Sequence, residues 1–204
     1  MIQVDIVDVF LEILKFKSTM LYCHSIEVAE IVKDIGAAIG YQEQKRIELE
    51  TAGLLHDIGK IFLRDSIINK PDKLLPGEME QVKMHPIIAA KMLENINNGI
   101  TISDIILYHH ENADGTGYYG LEEKEIPFES KILRIADTFS AMSMDRPYKF
   151  AYPVEVCAEQ AVELFDIGIE KKILKEILIE NKEKRLNNQY RKKHIEIIKR
   201  KCKD

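Results

Sequence analysis

The stretch His56-Asp57-Ile58-Gly59-Lys60 places an imidazole beside a carboxylate, with an ammonium group four residues after the imidazole. Adjacent side chains on a helix diverge, so His56 and Asp57 can serve one shared centre only from its edge. That arrangement suits a metal site in which a carboxylate bridges two ions and the histidine ligates one of them. Lys60 projects from the same side as His56 and could contact an anion held by the metals. The stretch therefore predicts an anion-binding metal centre.

Four further histidines and one aspartate are candidates to complete this centre. They are His24, His85, His109, His110 and Asp137. Each lies at a predicted helix end, beside a loop or inside an apolar helix. Seven side chains are too many for one ion and suit two ions that share a carboxylate. Mixed imidazole and carboxylate ligands suit Fe, Mn, Zn, Co or Ni, and the thiolates of a structural zinc site are absent from the set. Such a two-metal site supports hydrolysis of phosphate esters.

Single members of this set have simpler interpretations. His24 or His85, taken alone, is more often a hydrogen-bonded structural histidine than a ligand. Asp137 could cap a turn or pair with Arg134, which precedes it by three residues. The adjacent pairs His56-Asp57 and His109-His110 favour the metal interpretation, because burying neighbouring ionisable groups is costly without a cation.

The elements that must position these residues are predicted to be helical. Helix formers dominate the 204 residues, and 10 Gly, 6 Pro and no Trp argue against a β-sandwich. We expect an all-α, single-domain helical bundle with a catalytic domain over 1–181, its motifs over 24–165, and a helical C-terminal extension over 182–204. The apolar spacing predicts helices over 4–17, 24–39, 43–56, 103–110, 128–142, 153–165 and 170–181, and loops over 62–77 and 111–125. Helical signal also resumes at Glu78, and Pro86 fits the first turn of a further helix that includes Leu93.

Charge and cysteine content indicate which partners and which cellular location to expect. The net charge is −5, yet residues 180–204 hold ten Lys or Arg and four Asp or Glu. A basic tail could contact an acidic partner, a membrane surface or nucleic acid, but a solvated helix that packs through its apolar residues is the favoured interpretation, and we expect no DNA binding. Three scattered cysteines, no signal peptide and no apolar run near the ~20 residues of a membrane span predict a cytoplasmic protein.

The order of the candidate ligands and the text between them resemble the HD-GYP family, the helical phosphodiesterases of the HD superfamily that hydrolyse cyclic di-GMP. The resemblance covers about 24–165. The matching text is Leu55-His56-Asp57-Ile58-Gly59-Lys60, His85-Pro86, His109-His110-Glu111-Asn112-Ala113-Asp114-Gly115-Thr116-Gly117-Tyr118, Ile126-Pro127, Ile132-Leu133-Arg134-Ile135-Ala136-Asp137 and Asp145-Arg146-Pro147-Tyr148.

The resemblance implies two divalent metal ions, Fe or Mn first, with Zn, Co or Ni as alternatives. It implies one ion held by His24, His56 and Asp137, a second held by His85, His109 and His110, and Asp57 as the bridge. It also implies substrate contacts from Lys60, Tyr118, Arg146 and Lys149, with Lys60 beside the scissile phosphate and Tyr118 against a guanine. Water activated at the binuclear centre would then convert cyclic di-GMP to the linear dinucleotide pGpG.

Two positions depart from the family pattern. Met20 stands where some members have a glutamate that helps to hold a third metal, which predicts a binuclear site and cleavage that stops largely at pGpG rather than GMP. Tyr119 stands in place of the motif proline, which predicts a looser loop and altered contacts between this loop and partner proteins.

Alternative functions remain open at this point. The chain could be an HD-superfamily phosphohydrolase for another cyclic dinucleotide or nucleotide, a non-catalytic nucleotide-binding module, or a scaffold that uses its basic tail. A protein partner would contact either the loop 111–125 or the basic C-terminal helix, and a homodimer is a further expectation.

Overall fold

The computed structural model of the chain describes residues 6–94, 99–145 and 150–201, apart from the side chains of 99–101 and 188–201. Within these ranges the chain forms α-helices and two 3₁₀ turns and contains no strand, as the all-α prediction requires. The α-helices are α1 (Ile6–Lys17), α2 (Thr19–Ala38), α3 (Glu43–Leu55), α4 (Asp65–Ile68), α5 (Pro76–Lys83), α6 (His85–Leu93), α7 (Gly99–Leu107), α8 (Phe128–Ser143), α9 (Val154–Ala161) and α10 (Lys171–Lys201). The 3₁₀ turns are Ile58–Phe62 and Glu123–Glu125.

The start of α2 differs from the prediction. His24 was expected to open this helix, but α2 begins five residues earlier, at Thr19. The cause is Ser18, whose backbone is extended and whose side-chain oxygen accepts a hydrogen bond from the Leu21 N–H at 3.3 Å. This N-cap ends α1 and starts α2 at once. His24 therefore lies inside a helix, on the side that faces the bundle interior.

Two other predicted boundaries also differ. The predicted loop 62–77 contains the single-turn helix α4, and α5 begins at Pro76, because proline is well accommodated in a first helical turn. At the C-terminus α10 runs without a break across the predicted boundary between 181 and 182. The division into a catalytic domain and an extension thus falls within one helix and stays a prediction.

The long helix α2 is the centre of the bundle. It packs against α3 most extensively and also against α8, α1 and α10, while α6 packs on α7. The shared core of the described residues is mainly aliphatic, with the buried Phe139 and Phe165, and it includes Val28, Ile31, Ile35, Leu49, Ile106, Ile132 and Leu133. This packing fixes the interior ends of α2, α3, α6, α7 and α8 relative to one another.

Polar contacts attach α10 to the outer side of α2. Lys182 Nζ donates to Glu27 Oε1 at 2.8 Å, and both side chains are buried. Asn181 Nδ2 donates to Asp34 Oδ2 at 3.0 Å, and Arg185 pairs with Glu30. Among the described residues, none of the helices is long and apolar enough to span a bilayer.

Candidate metal centre

The structure brings the predicted ligand set to one place in the bundle interior. His24 comes from the second turn of α2 and Asp137 from α8, and the other five lie at or beside helix ends: His56, Asp57, His85, His109 and His110. Consecutive imidazole centroids lie 5.1–5.3 Å apart along the series His24, His56, His109, His85 and His110, and those of His109 and His110 lie 4.0 Å apart. Residues up to 113 positions apart in the chain thus form one contiguous cluster.

Three of the histidines are oriented in the same way by backbone carbonyls. The Nδ1–H groups of His56, His85 and His109 donate to the carbonyl three residues earlier, at 2.8, 2.7 and 2.6 Å. This bond fixes the tautomer, so each Nε2 carries a lone pair. All three Nε2 atoms are buried and have no hydrogen-bond partner within the described part of the chain. A histidine held at one nitrogen with the other directed inward is the usual arrangement of a metal ligand.

The two remaining histidines have polar partners on α8. His24 Nδ1 lies 2.9 Å from Ser140 Oγ, and its Nε2 lies 3.0 Å from Asp137 Oδ1. His110 Nδ1 lies 3.3 Å from Arg134 Nη1 and 3.9 Å from Asp137 Oδ2. Asp137 thus lies between these two histidines.

Asp57 lies between the two halves of the cluster. Its Oδ2 accepts a hydrogen bond from Lys60 Nζ at 2.7 Å and lies 3.6 Å from His56 Nε2. Its buried Oδ1 lies 3.3 Å from His85 Nε2, yet none of the described groups hydrogen-bonds to it. A carboxylate oxygen that faces a nitrogen lone pair at this distance is repelled unless a cation lies between them.

Two groups of three ligands meet the geometric requirement for a metal ion. Within each group the ligand atoms lie within 4.8 Å of one another, and the groups are His24, His56 and Asp57, and His85, His109 and His110. Asp137, beside His24, adds a carboxylate to the first group. The donor set contains no thiolate, and imidazole with carboxylate suits Fe, Mn, Zn, Co or Ni.

The protonation states agree with a cation site. Burial lowers the pKa of four of these histidines. The pKa of His56 is lowered, those of His85 and His110 lie well below 6.5, and that of His109 is about 4. Burial alone would raise the pKa of Asp57, but Lys60 and the neighbouring histidines hold it well below 3.8. Neutral imidazoles and charged carboxylates are the forms that bind divalent metals.

Gly59 allows the two halves of the centre to approach each other. A Cβ at this position would lie 2.1 Å from the backbone oxygen of His85 and 2.9 Å from its carbonyl carbon. The 3₁₀ turn that follows Asp57 therefore packs directly on the first residue of α6. Only glycine permits this contact without a shift of the His85 backbone.

A cavity of about 450 Å³ opens beside the cluster. Its polar face consists of His24, Asp57, Lys60, His110, Arg134, Asp137 and Thr138, and its walls are apolar, with Met20, Leu63, Ile67, Ile68, Leu74, Val82, Met142 and Met144 among them. Cavities of this size and mixed lining are typical of small-molecule sites.

The predicted substrate residues are only partly placed. Lys60 lines the cavity, and the ring of Tyr118 lies 4.5 Å from that of His110, tilted by 35°. Burial raises the pKa of Tyr118 to about 12, so its hydroxyl stays protonated. Arg146 and Lys149 lie outside the described residues, so their substrate role stays a prediction.

Two groups at the site, Ser140 and Glu111, were given no role from the sequence, and Arg134 was considered only as a partner of Asp137. Ser140 lies one helical turn after Asp137, and this spacing on one face of α8 was a usable signal. Arg134 connects His110 to Asn112, whose Oδ1 it contacts at 3.1 Å through Nη2. Glu111 is buried, and it accepts hydrogen bonds from the N–H groups of Tyr119 and Leu121. Its burial could not be inferred from the motif text.

A comparison with known protein families identifies the family to which this arrangement of ligands belongs. The HD domain family matches residues 8–167, which include every candidate ligand. The chain belongs to the HD domain family. This confirms the membership that the ligand order and the loop text implied.

Relatives of the HD domain include several phosphodiesterases. The chain is 36% identical over 154 residues to a cyclic di-GMP phosphodiesterase of Thermotoga maritima, covering 74% of this chain and 42% of the relative. It is 36% identical over 151 residues to the 3′3′-cGAMP-specific phosphodiesterase 3 of Vibrio cholerae, covering 74% of this chain and 33% of the relative. The chain thus spans less than half the length of these curated relatives.

Solved structures show the same fold. The HD domain of the L. monocytogenes phosphodiesterase PgpH, solved in complex with cyclic di-AMP, superposes with a TM-score of 0.62 at 22% identity. The match covers 89% of this chain and 96% of that domain. At this level of identity the superposition supports the helical fold and carries no statement about the ligand.

The metal-free protein is expected to lose stability as the pH falls from 6.5 towards 4. The native pKa of His109 is about 4, below its usual 6.5, so in this window the unfolded chain binds a proton that the native state does not. For this one residue the free energy of unfolding falls by roughly 3 kcal/mol.

Urea denaturation in the presence of a chelator, at about pH 7 and about pH 5, should show about 2 kcal/mol of this change, because part of it occurs below pH 5. The variant His109→Asn lacks the titrating group and should lose less stability over the same interval. An unfolding midpoint that does not change with pH would contradict the expectation.

Proposed function

We propose that this HD domain is a metal-dependent phosphodiesterase that hydrolyses cyclic di-GMP. The observation that carries the proposal is a set of buried ligand atoms with no hydrogen-bond partner among the described residues: Nε2 of His56, His85 and His109, and Oδ1 of Asp57. Leaving so many buried polar atoms unsatisfied is costly, and divalent cations at this point would satisfy them together.

The proposed centre holds two divalent ions. His24, His56 and Asp137 would hold one, His85, His109 and His110 the other, and Asp57 would bridge them, since its two oxygens face different halves of the cluster. Fe or Mn are the first candidates, and Zn, Co or Ni remain compatible with the ligands. When bound, two such ions lower the pKa of a water and stabilise negative charge on phosphate oxygens.

The chain's own residues prepare the site for an anionic diester. Lys60 Nζ contacts Asp57 at 2.7 Å and keeps 21% of its side chain exposed towards the cavity. It would therefore contact the scissile phosphate and stabilise the charge that develops there. The guanidinium of Arg134, 3.8 Å from Asp137, holds that carboxylate and the His110 ring in place. The ring of Tyr118 would pack against a base, and Arg146 and Lys149 would bind phosphates.

A second cyclic dinucleotide is a specific alternative substrate. Apart from the candidate ligands, Lys60 and Arg134, the described cavity lining is apolar except for Thr138, whose Oγ1 is buried without a described partner. An apolar wall binds purine faces by packing but does not distinguish the edges of guanine and adenine. The similarity to a 3′3′-cGAMP-specific enzyme makes cGAMP the main competitor.

The expected product is pGpG. The thioether of Met20 lines the cavity beside the first group of ligands, and sulfur is a poor ligand for a third hard cation. We propose that the centre stays binuclear and that conversion of pGpG to GMP is slow.

The location, oligomeric state and protein partners of the enzyme are part of the same proposal. We propose a cytoplasmic enzyme that could form a homodimer, with a protein partner at the loop 111–125 or at the basic end of α10. A non-catalytic nucleotide-binding module is the alternative from another class, and it would bind the dinucleotide without turnover.

The test is a substrate panel with protein purified without oxygen and analysed for its metals. Cyclic di-GMP, 3′3′-cGAMP and cyclic di-AMP are incubated separately, and the products are separated by chromatography. We expect about two metal ions per chain, fastest cleavage of cyclic di-GMP, and accumulation of pGpG. Faster cleavage of cGAMP would replace the substrate assignment, and binding without any product would favour the binding module.

A further inference from the structure

Glu111 is a buried carboxylate that takes no part in the proposed chemistry. Its side chain is fully buried, and it follows directly after the two histidines of the loop motif. Oε1 accepts a hydrogen bond from the Tyr119 N–H and Oε2 one from the Leu121 N–H, each at 2.8 Å. The carboxylate therefore ties two backbone positions, eight and ten residues further on, to the end of the turn that carries His109 and His110.

The loop backbone wraps closely around this side chain. A Cβ at Gly117 would lie 2.5 Å from Glu111 Cα and 2.7 Å from its Oε2. The first part of the loop is held separately, because Asn112 contacts both Arg134 and Thr116. Tyr118 thus lies between two fixed parts of the loop, the contacts of Asn112 before it and the hydrogen bonds to Glu111 after it. Its ring lies against that of His110.

The hydrogen bond from the Tyr119 N–H to Glu111 depends on which residue stands at position 119. A proline at this position, as in the family motif, has no N–H and could not donate to Oε1. The tyrosine supplies that donor, so in this chain a hydrogen bond constrains the loop where the motif would use a proline ring. The loosening expected from the loss of the proline is opposed by this bond.

We propose that Glu111 is a positioning residue that holds the loop 112–122 through the Tyr119 N–H, and thereby holds the Tyr118 ring against His110, which lines the cavity. A substitution that removes the Tyr119 N–H will release the loop even when it restores the family's proline. A substitution that removes only the Tyr119 ring will not.

The matched pair Tyr119→Pro and Tyr119→Ala separates these effects, because both lose the ring and only the alanine keeps the N–H. Hydrogen exchange of the segment 112–122 in the metal-loaded protein is the first measurement. We expect exchange of the Leu121 amide to be about tenfold faster in Tyr119→Pro and in Glu111→Gln than in the wild type and Tyr119→Ala. Unchanged protection in Tyr119→Pro would overturn the proposal.

Steady-state kinetics with cyclic di-GMP is the second measurement, and this part rests on the proposed function. Tyr119→Pro and Glu111→Gln should raise KM about tenfold at unchanged metal content, whereas Tyr119→Ala should stay within about twofold. In the Tyr119→Pro background Glu111→Gln should add less than it does alone, because the shared bond is already lost. A wild type that does not hydrolyse cyclic di-GMP would refute the proposed function, and the exchange data would still decide the role of Glu111.

Discussion

Replacing Asp57 by asparagine is expected to reduce turnover by at least ~10³-fold, the largest effect we expect from a single substitution. The amide preserves the shape of the side chain but removes the negative charge between the two groups of histidines. It also leaves the Lys60 ammonium, which now lies 2.7 Å from Asp57, without its carboxylate. Both changes weaken binding of the cations, so we expect the metal content to fall from about two ions per chain to one or none.

Initial-rate kinetics and elemental analysis of the same preparation measure the two effects together. The control is Asp104→Asn, on the exposed face of α7, which should retain wild-type rate and metal content. Wild-type turnover in Asp57→Asn would exclude the proposed bridging role. Tight nucleotide binding by both proteins with no turnover in either would instead identify a binding module.

Replacing Gly59 by alanine is expected to destabilise the fold and to empty one half of the metal centre. The new methyl group would overlap the backbone oxygen of His85, which would lie 2.1 Å away. Relief requires the start of α6 to move, and with it the ligand that begins that helix. Overpacking of this kind costs about 1–3 kcal/mol, and a backbone atom yields less readily than a side chain.

The chain contains a matched control for this substitution. Gly77 lies in α5, and a Cβ there would meet no described atom within 4 Å. Gly77→Ala should therefore be neutral or stabilise the protein by up to about 1 kcal/mol, through helix propensity. Urea unfolding of the metal-free proteins measures stability, and elemental analysis measures occupancy. Equal behaviour of the two variants would mean that the contact at Gly59 does not position His85.

The candidate centre was largely predictable because its chemistry lies in side-chain identity and order. Adjacent ionisable groups at helix ends, such as His56-Asp57, are uncommon, and together with Asp137 they define a set that the bundle then brings together. The helical class was predictable for a related reason, since apolar residues recur with the period of a helix throughout the chain.

The orientation of the ligands was not predictable in the same way. The imidazoles of His56, His85 and His109 are fixed by backbone carbonyls, which every residue carries, so no residue type reveals them. The start of α2 depends on a serine cap at position 18, which places that start five residues before the first residue that the predicted helix included. Glu111 is part of the motif text, but its burial follows from the path of the loop.

The attachment of α10 to α2 bears on how the chain can be shortened. A protein that ends at Asn181 would lack Lys182 and Arg185, and it would leave the buried Glu27 carboxylate without its cation, at a cost of about 3–5 kcal/mol. Glu27 lies one helical turn after His24, so the damage would arise next to a proposed ligand. Deletions designed to separate the basic tail from catalysis should therefore begin beyond Arg185.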